Sequence, residues 1–215
     1  MESPSTRDLI LDAAEEFLAR RRLREMTVRA LMAPLPWTRE AFYKHFSSRY
    51  DVIGALLDRF TEEVGPSWDL WAKGSDPLHD VRALFETASL IYQRRAHLVL
   101  AVVDASSYDP NMEVAWTAFR DRFIGSTAEQ IRVHQERGWA SDSVDARLCA
   151  AAMIHLIERL ITQELASAAP PSRELVVELL TRVMLGLVYP ELQASLGGYA
   201  VAGGPAASSQ AVARS

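Results

Sequence analysis

Apolar residues in this chain return every three or four positions and never settle into period-two alternation, which restricts it to helices packed on helices. Leu9, Ile10, Ala13, Ala14, Phe17 and Leu18 form one such face. It opens at Ser5 or Thr6, with Asp8 set to complement the helix dipole. No Asn-Gly or Asp-Gly hairpin signal occurs. The expected fold class is all-α, with about nine helices.

Capping residues divide the chain. Thr27 starts a short second helix, Val28 to Ala33, that Pro34 must end, because proline has no N–H and clashes with the preceding turn. Thr38 starts a third, to about His45. Ser48 with Asp51 starts a fourth, which carries Val52, Ile53, Leu56, Leu57 and Phe60 as far as Gly65-Pro66. Beyond Gly74, Asp76-Pro77 opens a helix to about Arg95, followed by one over 96–106 and a long one from Pro110 to Arg137 that Gly138 ends. Two more cover 143–168 and 172–196. The small-residue end, 198–215, is expected to be disordered.

A net charge of −5 argues against a polyanion partner until its distribution is considered. Residues 1–60 carry ten Lys and Arg against nine Asp and Glu, and the rest of the chain thirteen against nineteen. Only the N-terminal part suits nucleic acid. Cys149 is the single cysteine, so no intrachain disulfide framework is possible. Neither a signal-peptide pattern nor the ~20 consecutive apolar residues of a membrane span is present, and a soluble cytoplasmic protein is expected, with no membrane partner.

Two short helices joined by a tight turn, the second rich in exposed basic and aromatic residues, follow the helix-turn-helix plan. Val28, Leu31, Trp37 and Phe42 can face inward, leaving Arg29, Thr38, Arg39, Glu40, Ala41, Tyr43, Lys44 and His45 as candidates for DNA contact. Glu40 does not favour phosphate, although a carboxylate accepts from a cytosine amine. The cluster Arg20, Arg21, Arg22 and Arg24 reads as a solvated face. Past residue 106, Trp116, Phe119 and Phe123 share one helix face and could line an apolar cavity with Phe85 and Tyr92, or be plain core.

The segments "ILDAAEEFLA", "TVRAL", "TREAFYKHF" and "SSRYDVIGALLD" resemble, in order and without gaps, the N-terminal domain of the tetracycline-repressor (TetR) family. The resemblance implies a DNA-binding domain over 1–60, a ligand-binding and dimerisation domain over 61–197, and a tail over 198–215. It implies that Arg29 and Arg39 meet phosphate or base edges and that Tyr43, Lys44 and His45 touch the backbone and groove. Arg49 stands where the family has a phosphate-binding lysine. The run "LFETASLIY" and the series Trp116, Phe119, Phe123, Thr127 are similar to the ligand-binding domain of ethionamide-resistance repressors, which implies a pocket for a small apolar ligand. Dimerisation through the last two long helices is implied as well, at Leu160, Leu179, Val183, Gly186 and Leu187.

The elbow departs from the family pattern. Leu35-Pro36 replaces an alanine-glycine pair, and proline cannot take the positive φ that such a glycine supplies. Either the prolines stiffen a turn that takes another path, or the third helix is re-aimed, which gives either an unusual operator spacing or a dimeric small-molecule-binding or interaction protein that no longer reads DNA. On the helix over 143–168, His155, Glu158, Arg159 and Thr162 form a polar stripe, a ligand contact, a dimer lock or a solvated strip, with His155 a candidate ligand contact. His155 and Glu158 are all that would support an α-helical enzyme. No P-loop, dinucleotide fingerprint, nucleophile motif or metal-ligand spacing occurs, so neither catalysis, cofactor nor metal is expected. The reading that results is a homodimeric, ligand-responsive regulator, a repressor acting on double-stranded operator DNA.

Overall fold

The computed structural model describes residues 5–165, 167 and 169–192. Eight α-helices account for most of them: α1 Thr6–Leu18, α2 Val28–Met32, α3 Arg39–Tyr43, α4 Arg49–Ala72, α5 Pro77–Ser106, α6 Pro110–Glu136, α7 Ala146–Arg159 and α8 Arg173–Val188. A 3₁₀ turn, Leu23–Glu25, precedes α2, and a π-helical segment, Leu160–Leu165, extends α7. No strand occurs among the described residues. The predicted tail and the end of the last predicted helix lie outside them.

The caps act as the side-chain chemistry requires. Ser5 and Asp8 form a reciprocal capping box on α1, Thr27 Oγ1 accepts from Ala30 N, and Ser48 Oγ accepts from Tyr50 N and Asp51 N. Asp76 and Asp109 each cap a helix whose first residue is proline, where no N–H is needed. Gly138, at φ 71°, supplies the left-handed residue after α6.

Several boundaries differ from those expected; α7 starts at Ala146 rather than 143, α8 ends at Val188 before Tyr189, and two breaks expected earlier in the chain are missing. The fourth helix does not stop at Gly65-Pro66; α4 runs on to Ala72 with Pro66 inside it. Proline breaks a helix by losing one hydrogen bond and crowding the previous turn. Here the turns on either side are fixed by buried Phe60, Val64, Trp68 and Trp71, one face at spacings of three and four, while Pro66 itself is exposed. Tertiary packing outweighs the local break. The helices expected over 77–95 and 96–106 are likewise one, α5, since no breaker separates them and Ile91, Tyr92, Ala96, Leu98 and Val99 keep the buried face continuous.

α1, α2, α3 and the first half of α4 enclose one end of the core around Ile10, Leu11, Leu31, Phe42, Phe46 and Ile53. α4 then packs along α5, so the 60/61 boundary expected between domains falls inside a helix shared by both parts. Ion pairs tie the parts together: Arg59 of α4 to Asp8 and Asp12 of α1 at 2.8 and 2.9 Å, and Arg95 of α5 to Glu63 of α4 at 2.9 Å and to Glu15 of α1.

Candidate nucleic-acid interface and ligand cavity

Phe42 and Phe46, one turn apart, sink into the core and fix the roll of α3 about its axis. The remaining residues must therefore face outward. Thr38, Arg39, Glu40, Tyr43, Lys44 and His45 are exposed and Ala41 is half-buried, as is Trp37, which braces the elbow against the core. The elbow closes without any positive φ: Leu35 N donates to Met32 O at 3.1 Å, and the prolines follow a path that needs no glycine. α3 is five residues long, and Thr38 caps it by position only, its hydroxyl making no bond to the helix.

Arg39 lies along Tyr43, its Nη2 donating to the phenol oxygen at 3.3 Å with the guanidinium over the ring. Arg29, on α2, is exposed. Arg49 is placed differently from the free cation its position implies. Half-buried, it stacks on Tyr50 and donates to Tyr50 Oη at 3.0 Å and, over longer distances, to the carbonyls of Leu23 and Met26. Its first task is holding the 3₁₀ turn. The Arg20–Arg24 cluster borders an open cleft of about 1140 Å³ between the end of α1 and α5, with Arg20 paired to Glu16 at 2.7 Å.

A second, mostly enclosed cavity lies between α4, α5, α6 and α7. Phe60, Tyr92, Trp116, Phe119 and Phe123 line it, with Ile154, Ile157 and Ile161 opposite. The rings pack closely: Trp116 stacks on Phe119 at 5.0 Å, and Phe119 meets Phe123 at 4.9 Å and Phe60 at 5.8 Å. Free volume is about 30 Å³. Burial pushes the Tyr92 phenol well above its ordinary pKa, so it stays neutral.

Of the residues predicted to line a pocket, Tyr92, Trp116, Phe119 and Phe123 come together here. Phe85 is in the core away from the cavity wall. Thr127 accepts from Trp68 Nε1 at 2.8 Å, and His155 sits on the surface. Phe60 and Arg120 line the cavity without having been predicted to do so, and of the polar stripe on α7 Glu158 is the member that reaches it. Phe60 was legible only as the last apolar residue of a helix expected to stop at Gly65-Pro66. Arg120 had no signal, being one arginine among several on α6.

A polar network fixes the far end of α4. Tyr189 Oη accepts from Trp71 Nε1 at 2.8 Å and pairs with His134 Nδ1 at 2.5 Å, while Gln130 Nε2 meets His134 Nε2 at 2.8 Å and Ala72 O at 3.2 Å. The Gln130 amide donates to both of its partners, so His134 Nε2 accepts and its proton sits on Nδ1, pointing at Tyr189. Burial first, and then the charge of Arg137, hold the His134 pKa below its ordinary value. A proton added at Nε2 would face an N–H donor.

Outside the core, α7 and α8 expose Leu148, Leu175, Leu179 and Leu187, beside exposed Gly186 and half-buried Leu160 and Val183. Among the described residues no group of three His, Cys, Asp or Glu could hold a metal, and no helix is long and apolar enough to cross a membrane.

Comparison with known proteins supplies names for this arrangement. The family profile described as "Transcriptional regulator EthR, C-terminal domain" matches residues 79–190. The HTH-type transcriptional regulator EthR of Mycolicibacterium smegmatis is 26% identical over 186 residues, 85% of this chain and 86% of the relative, and EthR of Mycobacterium tuberculosis strain H37Rv is 25% identical over 187. Among solved structures, a regulator from Saccharomonospora viridis in complex with choline superposes with a TM-score of 0.70 at 22% identity over 85% of this chain and 96% of its own. The TetR-family regulator PfmR of Thermus thermophilus gives 0.68 at 18%, over 83% and 97%.

Proposed function

Since the chain belongs to the TetR family of transcriptional regulators, with a C-terminal domain of the EthR type, we propose that it is a homodimeric repressor that a small molecule releases from a two-fold symmetric operator. One observation carries the reading: Phe42 and Phe46 lock α3 so that Arg39, Glu40, Tyr43, Lys44 and His45 all face solvent. Lys44 and Arg39 would neutralise phosphates and displace counterions, while Arg39 and Glu40 are placed to sample base edges, with Arg29, Thr38, Ala41 and Arg49 at the margins. The proline elbow leaves this presentation intact.

A dimer supplies the second copy. The exposed leucines of α7 and α8 need cover in water, and pairing them across a two-fold axis puts two α3 helices on one side of the assembly. Successive major grooves on one face of DNA lie about 34–36 Å apart, the spacing the unliganded dimer must match.

The aromatic cavity is the ligand site in this reading, supported by the neighbour that holds choline in the same fold. With about 30 Å³ free, a ligand enters only by displacing side chains, and Phe119, half-buried between Trp116, Phe123 and Phe60, is placed to yield. Phe60 belongs to α4. Its far end is held at Trp68 and Trp71, and Arg59, beside Phe60, ties its middle to α1, so pressure at Phe60 swings the DNA-binding end about the anchored one. Release follows because ligand binds the swung state better.

Electrophoretic shift with the DNA flanking the chain's own gene tests the reading. The expected result is a complex that weakens steeply with salt and is lost in the Arg39→Ala, Lys44→Ala double variant. A folded dimer with no salt-sensitive binding would leave a ligand-binding or interaction protein.

A further inference from the structure

The charged side chains lining the ligand cavity are Arg120 of α6 and Glu158 of α7, which meet at one point of its otherwise aromatic and aliphatic wall. Arg120 Nη1 stands 3.6 Å from Glu158 Oε2, near enough for charge attraction and too far for a hydrogen bond. Arg120 Nε and Glu158 Oε2 are both buried and, among the described residues, have no hydrogen-bond partner. Other inter-helix ion pairs of this molecule come within hydrogen-bonding distance: Arg59 reaches Asp8 and Asp12, and Arg95 reaches Glu63, at 2.8 to 2.9 Å, and the exposed Arg82–Glu178 pair stands at 3.4 Å. A pair kept for stability alone would close in the same way, because a buried donor or acceptor left unmade is costly.

We propose that Arg120 and Glu158 read the polar head of the ligand, and that the ligand is an apolar, aromatic-compatible body ending in a neutral group that both accepts and donates, of the carboxamide class. This rests on the cavity being the ligand site. The head accepts from Arg120 Nε–H and donates to Glu158 Oε2, while the body lies among Phe60, Trp116, Phe119 and Phe123. Charge selects the class. The pair is already neutral, so a carboxylate head gains Arg120 but faces Glu158, an ammonium head gains Glu158 but faces Arg120, and a hydrocarbon leaves both atoms orphaned. His155, whose Nδ1 lies 4.0 Å from Glu158 Oε2, is exposed and stays outside the cavity.

The test is a probe series with one phenylalkyl body and four heads (primary amide, carboxylate, ammonium and methyl), titrated calorimetrically into the full chain and into its Glu158→Gln and Arg120→Gln variants. In the unaltered protein the amide should bind about tenfold to a hundredfold tighter than each of the others. Glu158→Gln should raise the carboxylate above the ammonium, and Arg120→Gln should do the reverse. Methyl and amide probes binding equally would overturn the head-group reading while leaving the cavity in place, as would an unchanged ranking of the charged heads in folded variants. Tightest binding of the ammonium probe to the unaltered protein would also overturn it, in favour of an aromatic cage for cations. Binding of none of the four would remove the cavity reading together with this one. The unaltered-protein series decides the matter by itself if either variant fails to fold.

Discussion

Replacing Tyr189 by Phe removes one oxygen and little else, because the ring is 1% exposed and its contacts survive. That oxygen accepts from Trp71 Nε1 and His134 Nδ1, so the change strands two buried donors at the end of α4. A buried donor without a partner costs about 1–3 kcal/mol, which puts Tyr189→Phe at roughly 2–6 kcal/mol for the two. For a chain of this size about 1 kcal/mol lowers Tm by about 2–4 °C, so a central cost of about 4 kcal/mol predicts a drop of about 8–16 °C, read by far-ultraviolet circular dichroism at fixed protein concentration. His134→Leu in the same background removes one stranded donor, and the double variant should lose less than the sum of the two single changes. A Tyr189→Phe protein within about 0.5 kcal/mol of the parent, the range of surface substitutions, would refute the network as the anchor of α4.

The remaining predictions concern charge and surface. His134 is held below its ordinary pKa by burial and by Arg137 against the smaller opposing effect of Asp80, and half-buried His97 is lowered by burial and Arg95 against Glu15. The unfolded chain takes these protons near pH 6.5 while the folded one resists, so stability is complete above about 6.5 and should fall as pH drops from there toward 5, by at most about 1.4 kcal/mol per unit for each histidine. Denaturant titrations across that range check it, and His134→Gln should remove part of the slope. Lys44→Ala should weaken binding to all DNA sequences and lower the log–log salt slope by about 0.9 per protomer, whereas Glu40→Gln should shift base preference with little change in slope. Leu179→Asp, at an exposed site on α8, should leave the helical content unchanged and yield monomers by sedimentation; an intact dimer would move the interface elsewhere.

Much of this was legible from local chemistry. Ser5, Thr27, Ser48, Asp76 and Asp109 announce helix starts because their side chains bond to N–H groups within three residues, a relation the sequence carries outright. The outward face of α3 was legible too, since Phe42 and Phe46 at a spacing of four leave only one side free. What could not be read depends on partners distant along the chain. Pro66 signals a break that only Trp68 meeting Thr127 and Trp71 meeting Tyr189 reverses. Arg120 joins the cavity because α7 brings Glu158 to it, while His155, on the same stripe one turn earlier, stays exposed at its rim. That Arg49, a phosphate contact by resemblance, also reaches the carbonyls of Leu23 and Met26 had no local signal.

Selection of bound DNA from a random pool at one fixed salt concentration tests most directly whether α3 reads DNA twice per assembly. The account predicts an enriched motif with two-fold symmetry whose half-site centres lie about one helical turn, 10–10.5 base pairs, or a multiple of it apart, and loss of that enrichment on Arg39→Ala. A pool that emerges without enrichment, or with a single unpaired half-site, would contradict it.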